Sequence, residues 1–481
     1  YFMNSSIIRY ILGYVLKFEA VFLALPCFTA LIYREKEGFA FGIVLVLCAI
    51  LGSICTYTKP KNTVFYAKEG FVTVALSWII LSVMGALPFV INEEIPNFTD
   101  ALFEIISGFT TTGASILSDV EALSHCSLIW RSFSHWIGGM GVLVFILAIL
   151  PLAGGGHSMH LLRAESPGPS VGKLVPRLRS TAMILYGIYF FMTVIELIIL
   201  LIAKMPLFDA ICTAFGTAGT GGFGIKNDSM ASYSTLIQGI VTVFMILFGV
   251  NFNVYYLFLI KKPKEALKCE ELRYYLGIIG FAILFITINI RGLFPSIFKA
   301  FHHAAFQVGS IITTTGFATE DFNIWPQASK TLLVIIMFIG ACAGSTGGGI
   351  KVSRFALLLK TVGKELSHLI HPRSIKIIKF EGKKVEHDVI RSVNVFLITY
   401  VLIFAFSVLA ICIDGLDLTT NFTAVAATLN NIGPGLELVG PTQNFSVFSS
   451  FSKYILMFDM LAGRLELFPM LILFTPATWK K

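Results

Sequence analysis

Four short motifs rich in threonine and glycine recur along the chain, and each could present backbone carbonyl oxygens to a cation. They are Thr110–Ala114, Gly219–Phe223, Thr313–Phe317 and Asn430–Pro434. When they are aligned on their glycines (residues 113, 222, 316 and 433), a small residue lies six positions upstream in every copy. Glycine adopts backbone conformations that other residues avoid, and a ring of carbonyl oxygens can replace the hydration shell of a potassium ion. One copy alone could be a helix-capping turn or a small-residue packing site, but four copies in register favour cation coordination.

These motifs lie in a chain that is too apolar for a soluble protein. Of its 481 residues, 56% are hydrophobic and 13% are charged, whereas typical soluble domains have about 25% charged residues. Unbroken apolar runs such as 184–202 and 395–413 match the ~20 residues that a helix needs to cross a bilayer. Disordered chains are poor in apolar residues, and barrel strands alternate in hydrophobicity. The predicted fold class is therefore an all-α polytopic membrane protein.

The spans and motifs alternate as four pseudo-repeats of span, pore half-helix, filter and span around one pore, after two extra N-terminal spans at about 7–32 and 39–57. The paired long spans are predicted at 70–91 and 128–151, 180–203 and 234–260, 273–292 and 329–361, and 390–413 and 446–477. The predicted units are 1–68 for the extra spans, then 69–152, 153–262, 263–375 and 376–481 for repeats 1 to 4. Similar internal repeats are common in transporters.

The segment 96–112 is too short to cross the bilayer, although spans lie on both sides of it. It is predicted to enter the membrane and turn back, so that the negative end of its helix dipole favours a cation at the membrane centre. The connections 152–180, 261–273 and 360–391 are rich in lysine and arginine. The positive-inside rule makes them cytoplasmic, which places the four motifs towards the outside.

The motifs, together with four further strings, resemble the Trk/Ktr/HKT superfamily of potassium transporters, and the two extra spans resemble its bacterial TrkH-type membrane subunits. The strings lie at 163–169, 343–351, 431–435 and 463–466. The resemblance implies potassium uptake across the bacterial inner membrane through a channel-like pore, with potassium as the transported ion and no cofactor in this chain. It also implies that each motif supplies three filter residues. These are Thr111, Thr112 and Gly113; Thr220, Gly221 and Gly222; Thr314, Thr315 and Gly316; and Asn431, Ile432 and Gly433.

The glycine-rich stretch 340–349 interrupts an apolar span. Such a dense run of glycines breaks a helix, and the freed backbone groups need partners or a wet cavity; tight helix packing is the alternative. The resemblance makes this stretch the intramembrane loop that obstructs the pore beneath the filter. The implied gate residues are Gly344, Ser345, Thr346, Gly347, Gly348, Gly349 and Arg464.

Arg464 lies within an apolar run, where an arginine costs at least ~2.5 kcal/mol by insertion scales. The resemblance makes it a partner of the intramembrane loop and a barrier to cations. The alternative is a structural ion pair with Asp459 or Glu466.

The resemblance further implies a homodimer in the lipid bilayer, gated by a cytosolic TrkA-type regulatory ring with nucleotide-binding domains of the NAD, ATP or ADP class. The loop 360–391 would form part of the docking surface for that ring. No nucleic-acid partner is expected.

Two other functions are weighed against this interpretation. A proton- or sodium-coupled potassium symporter usually needs a relay of ionisable residues in the membrane, and Glu196 stands in its span without a chain of carboxylates. An intramembrane enzyme would need a catalytic pair that the spans do not offer. His302 and His303 are predicted to be structural, while Asp100 and Asp209 either cap their half-helices or concentrate cations.

Overall fold

A computed structural model describes residues 3–61, 66–149, 178–373 and 376–479, and almost all regular structure in these ranges is helical. Six helices there are long and apolar enough to cross a membrane. They are Ser5–Tyr33, Gly38–Tyr57, Ala67–Ile91, Met183–Ile202, Glu270–Leu293 and His387–Asp414. The predicted all-α membrane fold is thereby confirmed. The string 163–169 and the end of the predicted span 128–151 lie outside the described residues.

Four shorter helices lie between the long ones and carry the motifs at their C-terminal ends. These pore helices 1 to 4 are Phe98–Phe109, Leu207–Ala218, Ile297–Ile312 and Leu418–Leu429. Each packs against the first long helix of its own repeat. Side chains at the N-cap fix where three of them begin, since Asn97, Ser296 and Asp417 accept hydrogen bonds from backbone N–H groups of the first turn.

The second long segment of each repeat differs from repeat to repeat. It is a single helix in repeat 1, His125–Ile149. In the other three repeats it is broken into Thr235–Phe248 and Phe252–Leu259; Gln327–Ile339 and Val352–Ile370; and Ser450–Arg464, Phe468–Phe474 and Pro476–Trp479. The break at 340–351 contains the predicted intramembrane loop.

The prediction of continuous spans at 234–260 and 446–477 was wrong. The first bends by 89° at residues 249–251, where Asn251 accepts a hydrogen bond from Asn253 N–H and starts a new helix. The second ends at Arg464, and Leu467 then has a φ of 69°, which an α-helix cannot contain. Both runs are largely apolar, although the first contains Asn251 at its bend and the second contains Arg464 and Glu466 at its break.

A two-stranded hairpin, Lys379–Phe380 and Lys383–Lys384, precedes the last long helix, with Lys379 opposite Lys384. The carboxylate of Glu381 in its turn accepts the backbone N–H groups of Glu270 and Glu271, each at 3.0 Å. The hairpin therefore caps the N-terminus of helix Glu270–Ile290.

Candidate functional site

The four pore helices end in the same backbone structure. The residue two positions before each aligned glycine is in the left-handed conformation: φ is 54° at Thr111, 53° at Thr220, 60° at Thr314 and 55° at Asn431. The N–H of the following residue then bonds to a carbonyl five residues back, which is the Schellman motif. These bonds are Thr112 to Ser107 (2.9 Å), and Gly221 to Gly216, Thr315 to Ser310 and Ile432 to Ala427 (each 2.8 Å). The small residue six positions before each glycine is thus the acceptor that closes the helix.

The four aligned glycines also share a left-handed conformation, with φ of 79°, 79°, 90° and 101° in chain order. A β-carbon would be strained there and would also overlap the next repeat. A β-carbon added to Gly113 would lie 2.0 Å from the carbonyl oxygen of Gly221, and one added to Gly222 would lie 2.0 Å from that of Thr315. One added to Gly316 would lie 2.1 Å from the oxygen of Ile432, and one added to Gly433 would lie 2.8 Å from that of Thr112. Every position therefore requires glycine.

These contacts run from repeat 1 to 2, 2 to 3, 3 to 4 and back from 4 to 1. The four motifs therefore form a closed ring, which brings together all twelve predicted filter residues. The carbonyl groups of Thr112, Gly221, Thr315 and Ile432 occupy the equivalent position in each quarter of the ring. Neutral oxygens in such a ring can coordinate a dehydrated monovalent cation.

The second repeat has lost the paired hydroxyls of repeats 1 and 3. In repeat 1 the hydroxyl oxygens of Thr110 and Thr112 are 2.8 Å apart, and in repeat 3 those of Thr313 and Thr315 are also 2.8 Å apart. In repeat 2 the corresponding residues are Gly219 and Gly221. A β-carbon added to Gly219 would lie 2.2 Å from the His135 carbonyl oxygen, and one added to Gly221 would lie 2.1 Å from the His135 ring. His135, which sequence analysis missed, fills the space of the absent side chains.

The segment 340–349 lies against the ring on repeats 3 and 4. The N–H of Gly348 donates to the Thr314 hydroxyl at 2.6 Å. A β-carbon added to Gly347 would lie 2.9 Å from the carbonyl oxygen of Thr313, and one added to Gly348 would lie 2.5 Å from that of Asn430. The glycines are needed because the loop backbone touches the ends of two pore helices.

Arg464 ties this loop to repeat 1. Its Nη1 donates to the Thr346 carbonyl at 2.8 Å and its Nη2 donates to the Gly138 carbonyl at 2.6 Å. Of the two carboxylates weighed as its partners, Glu466 is paired with Arg354, and Asp459 accepts a hydrogen bond from Ser407 at 2.7 Å. Arg464 therefore links the loop to helix His125–Ile149 of repeat 1.

Glu271 anchors the loop from the other side and was not found from the sequence. Its Oε1 accepts the backbone N–H of Ala343 at 2.7 Å and that of Ser353 at 3.1 Å, and its Oε2 accepts from the Asn251 amide at 3.4 Å. The buried carboxylate therefore holds the beginning of the loop and the start of the helix that follows it. A glutamate at the start of a long helix is common, and nothing local distinguished this one.

The weaker candidates have structural partners. His302 contacts the Gln238 amide oxygen at 2.8 Å and His303 contacts the Thr319 hydroxyl at 2.9 Å. Asp100 pairs with Lys453 at 2.6 Å, and Asp209 accepts from Tyr233 at 2.8 Å. Across the described ranges, His, Cys, Asp and Glu side chains form no group that could hold a resident metal ion.

Fold and ring together define a polytopic α-helical membrane protein with four pseudo-equivalent pore helices. The chain belongs to the TrkH family of cation transport proteins, whose family model matches residues 37–291 and 274–481. This is a family of transport proteins, so the alternative of an intramembrane enzyme is excluded.

Relatives and a solved structure cover nearly the whole chain. It is 38% identical to the Trk system potassium uptake protein TrkH of Salmonella typhimurium and to that of Escherichia coli K12, over 100% of each chain. It is 35% identical to the TrkG protein of Escherichia coli K12, over 99% of this chain and 100% of that protein. The crystal structure of the potassium transporter TrkH from Vibrio parahaemolyticus superposes with a TM-score of 0.88 at 36% identity, covering 99% of both chains.

Proposed function

We propose that this chain is the potassium-translocating membrane subunit of a Trk-type uptake system in the bacterial inner membrane. Its full-length relatives are potassium uptake proteins of the Trk system, and a ring of carbonyl oxygens suits a monovalent cation. The twelve filter residues would coordinate potassium, and the ring would face outward with the basic connections in the cytoplasm. The observation that carries the proposal is the closed ring of glycine contacts between the four motifs.

The loop Gly344–Gly349 and Arg464 form the proposed gate. The loop contacts the ring on repeats 3 and 4, while the guanidinium reaches both the loop and Gly138. A fixed positive charge near a cation path raises the barrier to conduction by Coulomb repulsion. Opening would require this loop to leave the ring and Arg464 to release it.

The same proposal includes the assembly. The chain would form a homodimer, and a cytosolic TrkA-type ring that binds NAD, ATP or ADP would act on the cytoplasmic side. The hairpin at 379–384 is suited to transmit that action, because Glu381 caps the helix whose Glu271 anchors the loop. The division into two extra spans and four repeats at 1–68, 69–152, 153–262, 263–375 and 376–481 belongs to this proposal.

Cation flux into liposomes that contain the purified chain tests the proposal. With the cytosolic partner present, potassium flux is expected to follow the potassium gradient at clamped voltage. A proton ionophore or removal of sodium would leave that flux unchanged, whereas a symporter would lose gradient-driven transport. Absence of potassium flux, with and without the partner, would contradict the proposed function.

A further inference from the structure

A buried ion pair lies directly behind the ring, between repeats 1 and 2. Glu104 of pore helix 1 has a fully buried side chain, and that of Arg131, on helix His125–Ile149, is 2% exposed. Nε and Nη2 of Arg131 donate to Oε1 of Glu104 at 2.9 and 2.8 Å. Replacing a buried pair by apolar residues is often neutral or stabilising, so stability alone is a weak explanation for it.

The carboxylate of Glu104 holds the segment 114–116 that follows Gly113, which we name filter strand 1. The Ser115 hydroxyl donates to it at 2.9 and 3.1 Å, and the backbone N–H of Ile116 donates to Oε2 at 3.0 Å. Hydrogen bonds to a charged acceptor are stronger than neutral ones. The pair therefore fixes the position of filter strand 1 two residues beyond its glycine.

The guanidinium of Arg131 holds the segment 223–224 that follows Gly222, which we name filter strand 2. Its Nη1 donates to the Gly224 carbonyl at 3.2 Å, and its central carbon lies 4.1 Å from the centre of the Phe223 ring. One turn further along the same helix, His135 Nε2 accepts the N–H of Phe223 at 3.2 Å, so the proton on Nδ1 is donated to the Gly108 carbonyl at 2.8 Å. Arg131 and His135 thus connect pore helix 1 with filter strand 2.

The other repeats lack this charge. The residue nine positions before the aligned glycine is Glu104, Thr213, Gln307 and Ala424 in repeats 1 to 4. Neutral hydroxyls hold the strands after the glycines in repeats 3 and 4, where Ser310 donates to the Phe317 carbonyl and Thr423 accepts the Leu436 N–H. Gln307 is buried, and its amide has no hydrogen-bond partner within the described part of the chain.

We propose that Glu104 and Arg131 are positioning residues that set the width of the ring between repeats 1 and 2, and with it the preference for potassium over sodium. The inference rests on the proposed function. The pair touches strands on either side of the Gly113–Gly221 contact, so loosening it would widen that quarter of the ring. Selectivity depends on how cavity size and coordinating carbonyls are held, and a looser ring discriminates less between the two ions.

The test compares potassium and sodium permeability in liposomes that contain the full chain with its cytosolic partner. The variants are Glu104→Gln, Arg131→Lys, which keeps the charge but loses the planar fork, and Ser115→Ala, which leaves the ion pair intact. We expect the potassium-to-sodium ratio to fall by roughly 5-fold or more in the first two and by less in Ser115→Ala. Gln307→Leu, at the equivalent position of repeat 3, is the matched control and should keep the ratio.

A purely structural role would lower both fluxes in proportion and leave their ratio unchanged. An unchanged ratio in Ser115→Ala and in whichever ion-pair variants elute as folded protein would overturn the inference. An equal fall of the ratio in Gln307→Leu would also overturn it, because the effect would then not be specific to the pair. If the wild-type chain carries no potassium at all, the proposed function itself fails, and this outcome is distinguishable from the others.

Discussion

Gly113 determines how closely the first two motifs of the ring approach each other. Its φ of 79° suits glycine, and a β-carbon there would overlap the Gly221 carbonyl oxygen. The oxygen cannot move away without leaving the ring. At the scale of single residues, the ring is therefore maintained by absent side chains as much as by the groups that could bind a cation.

Replacing Gly113 by alanine is expected to lower potassium flux by more than about tenfold, since the left-handed conformation alone costs an alanine about 1–2 kcal/mol and the overlap adds to this. The matched control is Gly280→Ala, on an exposed helix face where a β-carbon would meet nothing within 4 Å. Liposome flux measures both variants. Wild-type flux in Gly113→Ala would contradict the role given to this glycine.

Arg464→Ala is expected to raise potassium leak in the absence of the cytosolic partner by about 5-fold or more. The change removes the positive charge and the bonds to Thr346 and Gly138 that hold the loop in place. Arg291→Ala, at an exposed position outside the site, serves as the control and should leave the leak unchanged. Equal leak from the wild-type chain and Arg464→Ala would count against the gate.

At the scale of elements, broken helices surround the ring. Residues 249–251, 340–351 and 465–467 interrupt the second long segments of repeats 2, 3 and 4, and the N–H of Cys342 bonds to the Gly249 carbonyl at 3.1 Å. Irregular backbone at membrane depth needs such partners. Because the loop is held by hydrogen bonds rather than by helix continuity, the proposed opening of the gate would not unfold a span.

Glu271→Gln is expected to raise the leak in the absence of the partner. A neutral amide oxygen can still accept from Ala343 and Ser353, but these bonds lose the added strength of a charged acceptor, and the amide nitrogen places a donor against the Asn251 amide nitrogen. The control is Glu265→Gln, whose exposed side chain pairs with nearby Lys262. A leak that stays at the wild-type level would show that Glu271 does not restrain the loop.

At the scale of the whole molecule, one chain closes the ring. The fourth motif returns to the first through Gly433 and the Thr112 carbonyl, so every quarter comes from a different repeat of the same polypeptide. The pore would then be complete within a protomer, and a homodimer would carry two separate paths.

Mixing wild-type chain with Gly113→Ala chain in known proportions tests this arrangement. Potassium flux is expected to fall in direct proportion to the wild-type fraction, because an inactive protomer does not contribute to the ring of its neighbour. The flux is measured at constant total protein, with empty liposomes as the blank. A fall with the square of the wild-type fraction would indicate that both protomers are needed for each path.

Local features of the fold and site could be predicted from the sequence. The glycines and the small residues six positions before them meet the needs of one helix end, namely a left-handed residue and a close carbonyl acceptor. The long helices followed from apolar runs of bilayer length. The partners of these motifs could not be predicted. His135, Glu104 with Arg131, and Glu271 act across 11 to 93 residues of chain, and their residue types are ordinary at these positions.

The sequence by itself determined that the chain lies in a membrane, that four equivalent turns recur, and where one long segment is interrupted by glycines, because hydropathy and backbone conformation depend on neighbouring residues. The tertiary structure decided that the four turns meet in one closed ring, that two further apolar segments break, and that one buried carboxylate holds the loop. Those features arise from contacts between segments that are far apart in the chain. Where two backbones approach closely, only a residue that leaves room for the contact can occupy the position.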